Sequence, residues 1–162
     1  MVKMADLKKV LESVGLENVK ILLASGNATF DTEIGKGAEA TVVSKIETSL
    51  KKKFGFSIPV ILRSESELSE LLKADPFKGI KATPQTRLYV TFLKNTQKAK
   101  TIKIPYSAPG GEFRILNATK TEIVSVLQLE VGKRTPDLMG VIEKEFGKEV
   151  TTRNWNTVLK LI

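Results

Sequence analysis

Two stretches of this chain echo one another: Lys53-Phe54-Gly55-Phe56-Ser57-Ile58 and Glu145-Phe146-Gly147-Lys148-Glu149-Val150. Each sets Phe-Gly at the end of an amphipathic helix and an apolar residue three positions after the glycine. Before the first, Val42, Val43, Ile46, Leu50 and Phe54 recur at helical spacing over Ala38–Phe54. Lys51, Lys52 and Lys53 fill that helix's last turn, where cations suit the helix dipole. Before the second, Leu138, Ile142 and Phe146 mark a helix, with Thr135 expected as N-cap and Pro136 as its first residue.

Reading outward, each echo closes a similar run of elements. Met4, Leu7, Leu11 and Val14 mark a first helix that Gly15 ends. Asn18–Asp31 reads as strand, turn, strand: Val19, Ile21 and Leu23 alternate, Ser25-Gly26-Asn27 supplies turn chemistry, and Ala28-Thr29-Phe30 resumes. Ser57–Arg63 alternates again, with Pro59 placing it at a sheet edge or strand start. Ser64 and Glu67 form a capping box before Leu68, Leu71 and Leu72, and Asp75-Pro76 stops that helix. Arg87–Leu93 is a strand with Leu88, Val90 and Phe92 on one face and Tyr89 on the other. Asn95–Lys103 reads as a short basic helix and Pro105–Gly111 as a loop. Glu112–Leu116 and Thr121–Leu127 pair as a hairpin around Asn117-Ala118-Thr119-Lys120. With 162 residues, one domain is expected. The pattern predicts an α+β fold of two ferredoxin-like βαββαβ halves, with antiparallel sheets and a C-terminal helix. Residues 1–63 form the first half, 64–85 a connecting helix and loop, and 86–162 the second half.

The C-terminal helix is read from Thr151 onward, with Thr152 as its cap and Trp155, Val158, Leu159 and Ile162 as its apolar stripe. Arg153 then falls in the first turn, where the dipole disfavours a cation. That local conflict marks Arg153 as a functional candidate, while the stripe reads equally as a helix docking the chain's one Trp into the core.

Composition excludes several chemistries. The chain has no His and no Cys. A Ser-His-Asp triad, a cysteine nucleophile and the usual zinc site are therefore ruled out, and no metal or cofactor is implied. Any general acid or base must be Asp, Glu, Lys or Tyr. Asp31, Glu33 and Asp75 are loop carboxylates available for that role. No apolar run approaches the ~20 residues of a membrane helix, and no signal-peptide pattern is present, so the cytoplasm is the expected compartment and no membrane partner is expected. The net charge of +8 favours anionic partners. The charges are scattered, with Lys51-Lys52-Lys53 the densest run. Gly132-Lys133-Arg134-Thr135 fails as a Walker A motif, which needs a glycine where Leu127 stands. What remains is a basic turn before a helix start, able to hold an anion or to serve as an ordinary solvated loop. Lys53-Phe54-Gly55-Phe56 is faintly similar to an RNA-recognition motif, but its aromatics straddle a helix end instead of lying on a sheet.

Four blocks occur in order: Val2-Lys3-Met4-Ala5-Asp6-Leu7, then Ser25-Gly26-Asn27 with Phe30, then Asp75-Pro76-Phe77, then Thr151 to Lys160. On these the chain resembles a widespread bacterial family, domain of unknown function 1697. The resemblance implies a fold more than an activity, and adds weight to Ser25-Gly26-Asn27 as a site over a plain hairpin turn. It also implies a strand and a Gly-rich loop ahead of Met4, which this sequence lacks. A truncated start is expected over a genuine short variant, and with it a gain in stability on upstream extension.

Three functions follow as expectations. The first is a small cytosolic binder of a phosphorylated or nucleotide-like anion. Its site would gather Ser25, Gly26, Asn27, Lys133, Arg134, Arg153, Asn154 and Asn156, with backbone donation around Gly26, bidentate pairing by Arg153 or Arg134, and amide donation from the asparagines. The second is RNA binding, which the charge favours and the 6% aromatic content disfavours. The third is an enzyme without His or Cys chemistry.

Overall fold

The computed structural model describes residues 1–22, 26–35, 37–94 and 101–162. Among these it shows α1 (Met4–Ser13), β1 (Glu17–Leu22), β2 (Asn27–Asp31), α2 (Glu39–Phe54), α3 (Glu65–Lys73), β3 (Thr86–Leu93), β4 (Tyr106–Ser107), β5 (Phe113–Ala118), β6 (Glu122–Gln128), α4 (Leu138–Phe146), β7 (Val150–Asn154) and α5 (Trp155–Leu159). The fold is α+β with antiparallel sheets and a C-terminal helix. Apart from the last two residues, contacts divide the chain into two compact units, Met1–Leu62 and Arg63–Lys160.

In the first unit, β1 and β2 form the expected antiparallel hairpin, from Glu17 opposite Asp31 to Leu22 opposite Asn27. The ladder is irregular between Glu17 and Lys20. Helix α1 packs against β1 and α2. Its Leu7, Val10 and Leu11 form one buried cluster with Leu16, Val19, Ile46 and Leu50. Helix α2 ends at Gly55, whose φ of +81° is a left-handed conformation that glycine adopts without a Cβ penalty. Ser57–Arg63, expected as a strand, joins no ladder. Pro59 has no N–H to give, and the Val60 N–H donates to Glu47 Oε1 at 2.7 Å instead of to a neighbouring strand. Ile58 and Val60 still pack against the cluster, so the alternation read from sequence reports burial and not pairing.

The second unit opens with the expected capping box. Glu67 N–H donates to Ser64 Oγ at 3.1 Å, and Ser64 N–H donates to Glu67 Oε2 at 2.7 Å, a motif contributing about 1 kcal/mol. Its sheet runs β4-β5-β6-β3-β7, every pairing antiparallel. With β4 set aside, the first strand, β3, is central, between β6 and the last strand, β7. This is the strand order of a ferredoxin-like half. Strand β4, two residues long, lies inside the stretch expected to be a plain loop. Of the helix expected over Asn95–Lys103, residues 95–100 lie outside the described residues.

Both faces of this sheet are covered. On one face Leu93, Phe113, Ile115, Ile123 and Leu127 form a core with Leu138, Ile142 and Phe146 of α4. The other carries Leu88, Val90, Phe92, Val124 and Val126, each at most 5% exposed. Tyr89 lies on the face opposite Leu88, Val90 and Phe92, as its place in the alternation requires, and packs against the α4 core. Among the described residues no helix is long and apolar enough to cross a membrane.

Two helix starts differ from expectation. The C-terminal helix does not begin at Thr152. Val150–Asn154 is strand β7, paired with β3 from Leu93 opposite Val150 to Tyr89 opposite Asn154. The β-branched Thr151 and Thr152 suit a strand, and Thr152 Oγ1 shares a 2.7 Å hydrogen bond with Thr91 Oγ1 of β3. Helix α5 is a five-residue turn capped by Asn154. Arg153 therefore sits on a strand, and the supposed clash with a helix dipole does not exist. Of the expected stripe, Val158 is fully buried and Trp155 half-buried, while Leu159 and Ile162 are 42% and 49% exposed. Helix α4 is capped by Asp137, not Thr135.

Candidate functional site

The sequence-derived candidates fall in three places. Gly26 and Asn27 lie in the β1–β2 turn of the first unit; Ser25 lies outside the described residues. Gly26 has φ of +78° and is exposed. Asn27, at 9% exposure, begins β2 and donates from Nδ2 to the Leu22 carbonyl at 3.4 Å. That bond closes the hairpin on itself, which gives this asparagine a turn-forming role.

Lys133 and Arg134 lie in the loop between β6 and α4. The Lys133 N–H donates to the Glu130 carbonyl at 3.2 Å, closing a turn in which Gly132 takes φ of +77°. The Lys133 ammonium forms an ion pair with Glu130, which raises its pKa by hydrogen bonding and by charge. Arg134 is exposed. At the helix start that follows, Asp137 Oδ1 accepts the Gly140 N–H at 3.0 Å. A carboxylate thus already occupies the place where an incoming anion would dock.

Arg153, Asn154 and Asn156 lie at the junction of β7 and α5. Side chains alternate along β7, so Thr151 and Arg153 share one face. Arg153 Nη1 donates to Thr151 Oγ1 at 2.6 Å and to the Thr152 carbonyl at 3.0 Å. The guanidinium is half-buried, and burial lowers its pKa. An arginine stays charged despite such a shift. Asn154 and Asn156 are exposed, and Asn154 Oδ1 accepts the Asn156 N–H at 3.0 Å. With that oxygen engaged, the Asn154 side chain has its amide donors left to offer. Trp155, between the two asparagines, packs edge-on against Phe77, ring centroids 5.2 Å apart. The second unit thus brings Arg153, Asn154 and Asn156 together at one junction and leaves Lys133 and Arg134 in a different loop.

Asp31, Glu33 and Asp75 are all exposed. Asp31 accepts from Asn18 Nδ2 at 2.7 Å. Among the described residues no cluster of acidic side chains suited to a metal ion is found.

Two charged residues carry structure that the sequence reading did not single out. Arg63 Nη2 donates to the Leu93 and Thr121 carbonyls at 2.6 and 2.8 Å, and the guanidinium stands 5.6 Å from the Phe92 ring centroid. It ties the end of β3 to the β5–β6 turn. Burial lowers its pKa, against the opposing fields of Glu67 and Glu122. Glu145 is 7% exposed and accepts from the Thr101 N–H at 2.9 Å, the Thr101 hydroxyl and the Ile102 N–H. These bonds, that of the Thr101 N–H foremost, hold its carboxyl below the usual range. Glu145 lies seven residues after Leu138, on the buried stripe of α4, and a carboxylate in that position is a signal readable from sequence.

Neither a search of curated proteins nor a search of solved structures returns a match. A family model matches residues 1–118, which hold the blocks at Val2–Leu7, Ser25–Phe30 and Asp75–Phe77 and end before β7. The chain belongs to that family, described as Protein of unknown function (DUF1697).

Proposed function

We propose that this chain is a cytoplasmic protein that binds a phosphorylated or nucleotide-like small anion at the β7–α5 junction. One observation supports the reading above the rest: Arg153 is a partly desolvated cation held in place by Thr151 Oγ1 and the Thr152 carbonyl. A guanidinium fixed this way loses little freedom on meeting a phosphate, and partial burial strengthens the charge-assisted bond. In this reading Arg153 supplies the charge, and the amides of Asn154 and Asn156 supply neutral donors that select oxygen-rich groups. Helix α5, at five residues, is too short to add much dipole. The net charge of +8 draws anions toward the surface in general.

Trp155 is the chain's one Trp and lies between the two asparagines. Its emission is to be followed while adenosine diphosphate, inorganic phosphate and other phosphorylated metabolites are added. A saturable change that Arg153→Ala weakens at least tenfold is the expected result, because a charge-assisted hydrogen bond contributes about 1.5–3 kcal/mol. Saturable binding that is unchanged in Arg153→Ala would remove the site proposed here, and no response to any ligand of the set would remove the reading.

A further inference from the structure

The end of α2, in the first unit, carries a second feature that the small-anion reading leaves unused. Lys51, Lys52 and Lys53 are all exposed. Among the described residues none of the three forms an ion pair. Successive helical residues point about 100° apart, so the three ammonium groups wrap roughly 200° of the helix. The helix C-terminus offsets only about half a charge, leaving a strong net cation. Gly55, at φ of +81°, then turns the chain back, and Phe56 follows at 48% exposure. Its ring centroid lies 6.4 Å from that of Phe54, which packs against the core of the first unit. The exposed ring therefore has a fixed mount.

The cationic turn continues along the helix. Thr41, Lys45, Thr48 and Lys52 recur at helical spacing on one outward stripe, about 16 Å long at the helical rise per residue. A cationic helix end followed by an exposed aromatic ring has the two parts that unstructured nucleic acid needs: charge for the backbone and a π face for a base. We propose that the end of α2 with Phe56 is a docking surface for single-stranded nucleic acid. One base stacks on Phe56, and the phosphates follow Lys51–Lys53 and the outward stripe. A lipid surface fits less well. A membrane-lying helix turns its apolar face to the lipid, whereas Ile46 and Leu50 of α2 are 1% and 2% exposed within the core. This surface is independent of Arg153 and needs no sheet face, and the second-unit sheet has neither face open.

The test uses the full chain and a short fluorescein-labelled mixed-sequence RNA, with binding followed by anisotropy over a range of salt. Phe56→Ala is expected to weaken binding about tenfold, the effect of losing one stacked base. Phe56→Leu keeps apolar bulk without the π face and is expected to weaken it nearly as much. Replacing all three lysines with Gln is expected to flatten the slope of log affinity against log salt by about two. Circular dichroism checks that each variant is folded, and the two Phe56 variants and the lysine variant probe the surface separately. Arg153→Ala is expected to bind the RNA like the unaltered chain, which separates this surface from the small-anion site. RNA binding that survives both Phe56 variants and the lysine variant would overturn the proposal. So would RNA binding lost in Arg153→Ala alone, and so would capture by phosphatidylserine vesicles without any binding of RNA.

Discussion

In the second unit two strands hand over to helices through segments that hold an arginine, and the two junctions are built for different ends. Between β6 and α4, the basic residues sit in an exposed turn: Lys133 is engaged by Glu130, Arg134 is exposed, and Asp137 places a carboxylate on the helix start. Between β7 and α5 there is no loop. Asn154 ends the strand and caps the helix at once, with a neutral side chain, and Arg153 is held half-buried by its own strand. The first junction has the sequence that looks like an anion loop and carries its own counter-charges. The second has no such loop and holds a cation whose freedom the fold has already restricted. Local composition shows how much charge a segment carries; the fold decides whether that charge is neutralised, mobile or fixed.

The comparison can be broken in steps, from the largest effect to the smallest. Helix α4 is tied to the core through Ile142, which is fully buried, whereas α5 ends with Leu159 42% exposed. Ile142→Ala is expected to cost about 2–5 kcal/mol in urea denaturation, and Leu159→Ala within about 0.5 kcal/mol. Equal costs would mean that α5 is as deeply anchored as α4. The caps come next: Asp137→Ala is expected to destabilise by about 1 kcal/mol. Asp137→Asn, which keeps the cap and removes the charge, should cost less.

A pH effect follows from Glu145 in α4. Its folded-state pKa is depressed by the Thr101 and Ile102 bonds, so its stabilisation is fully present above its ordinary value of 4.5 and is lost as pH falls through the lower folded value. The melting temperature should therefore drop more steeply below that pH in the unaltered chain than in Glu145→Gln. Parallel curves would show that this carboxylate contributes nothing to the dependence. The smallest effect is expected at Lys133, whose ion pair is exposed. Lys133→Ala should leave the melting temperature unchanged and alter anion affinity less than twofold.

Much of the fold was legible because it rests on local chemistry. The Ser64–Glu67 box, the stripes of α1, α2 and α4, the β1–β2 hairpin and the apolar β3 all follow from spacing within about ten residues. What was misread depends on partners far along the chain. Thr151 and Thr152 passed for the start of a helix because the Trp155–Val158 spacing is helical; their pairing with Thr91 and Phe92 of β3 lies some sixty residues away and leaves no local trace. Arg63 reaches carbonyls at Leu93 and Thr121 for the same kind of reason. Ser57–Arg63 shows the reverse error: its alternation is real, but a strand also needs a neighbour, and Glu47 takes the Val60 N–H. Thr135 was read as the cap because Pro136 follows it, whereas Asp137, the stronger cap by propensity, takes the Gly140 N–H. Arg153 was singled out for a dipole conflict that the strand removes, and its present interest comes from burial and fixed geometry, neither of which is written in the local sequence.

The most direct test of the difference between the two junctions is a paired calorimetric titration with adenosine diphosphate, comparing Arg153→Ala and Arg134→Ala with the unaltered chain. The account predicts a loss of affinity of at least tenfold for Arg153→Ala and less than twofold for Arg134→Ala. The reverse order, with Arg134→Ala abolishing binding and Arg153→Ala leaving it intact, would place the anion at the β6–α4 loop and contradict the central claim.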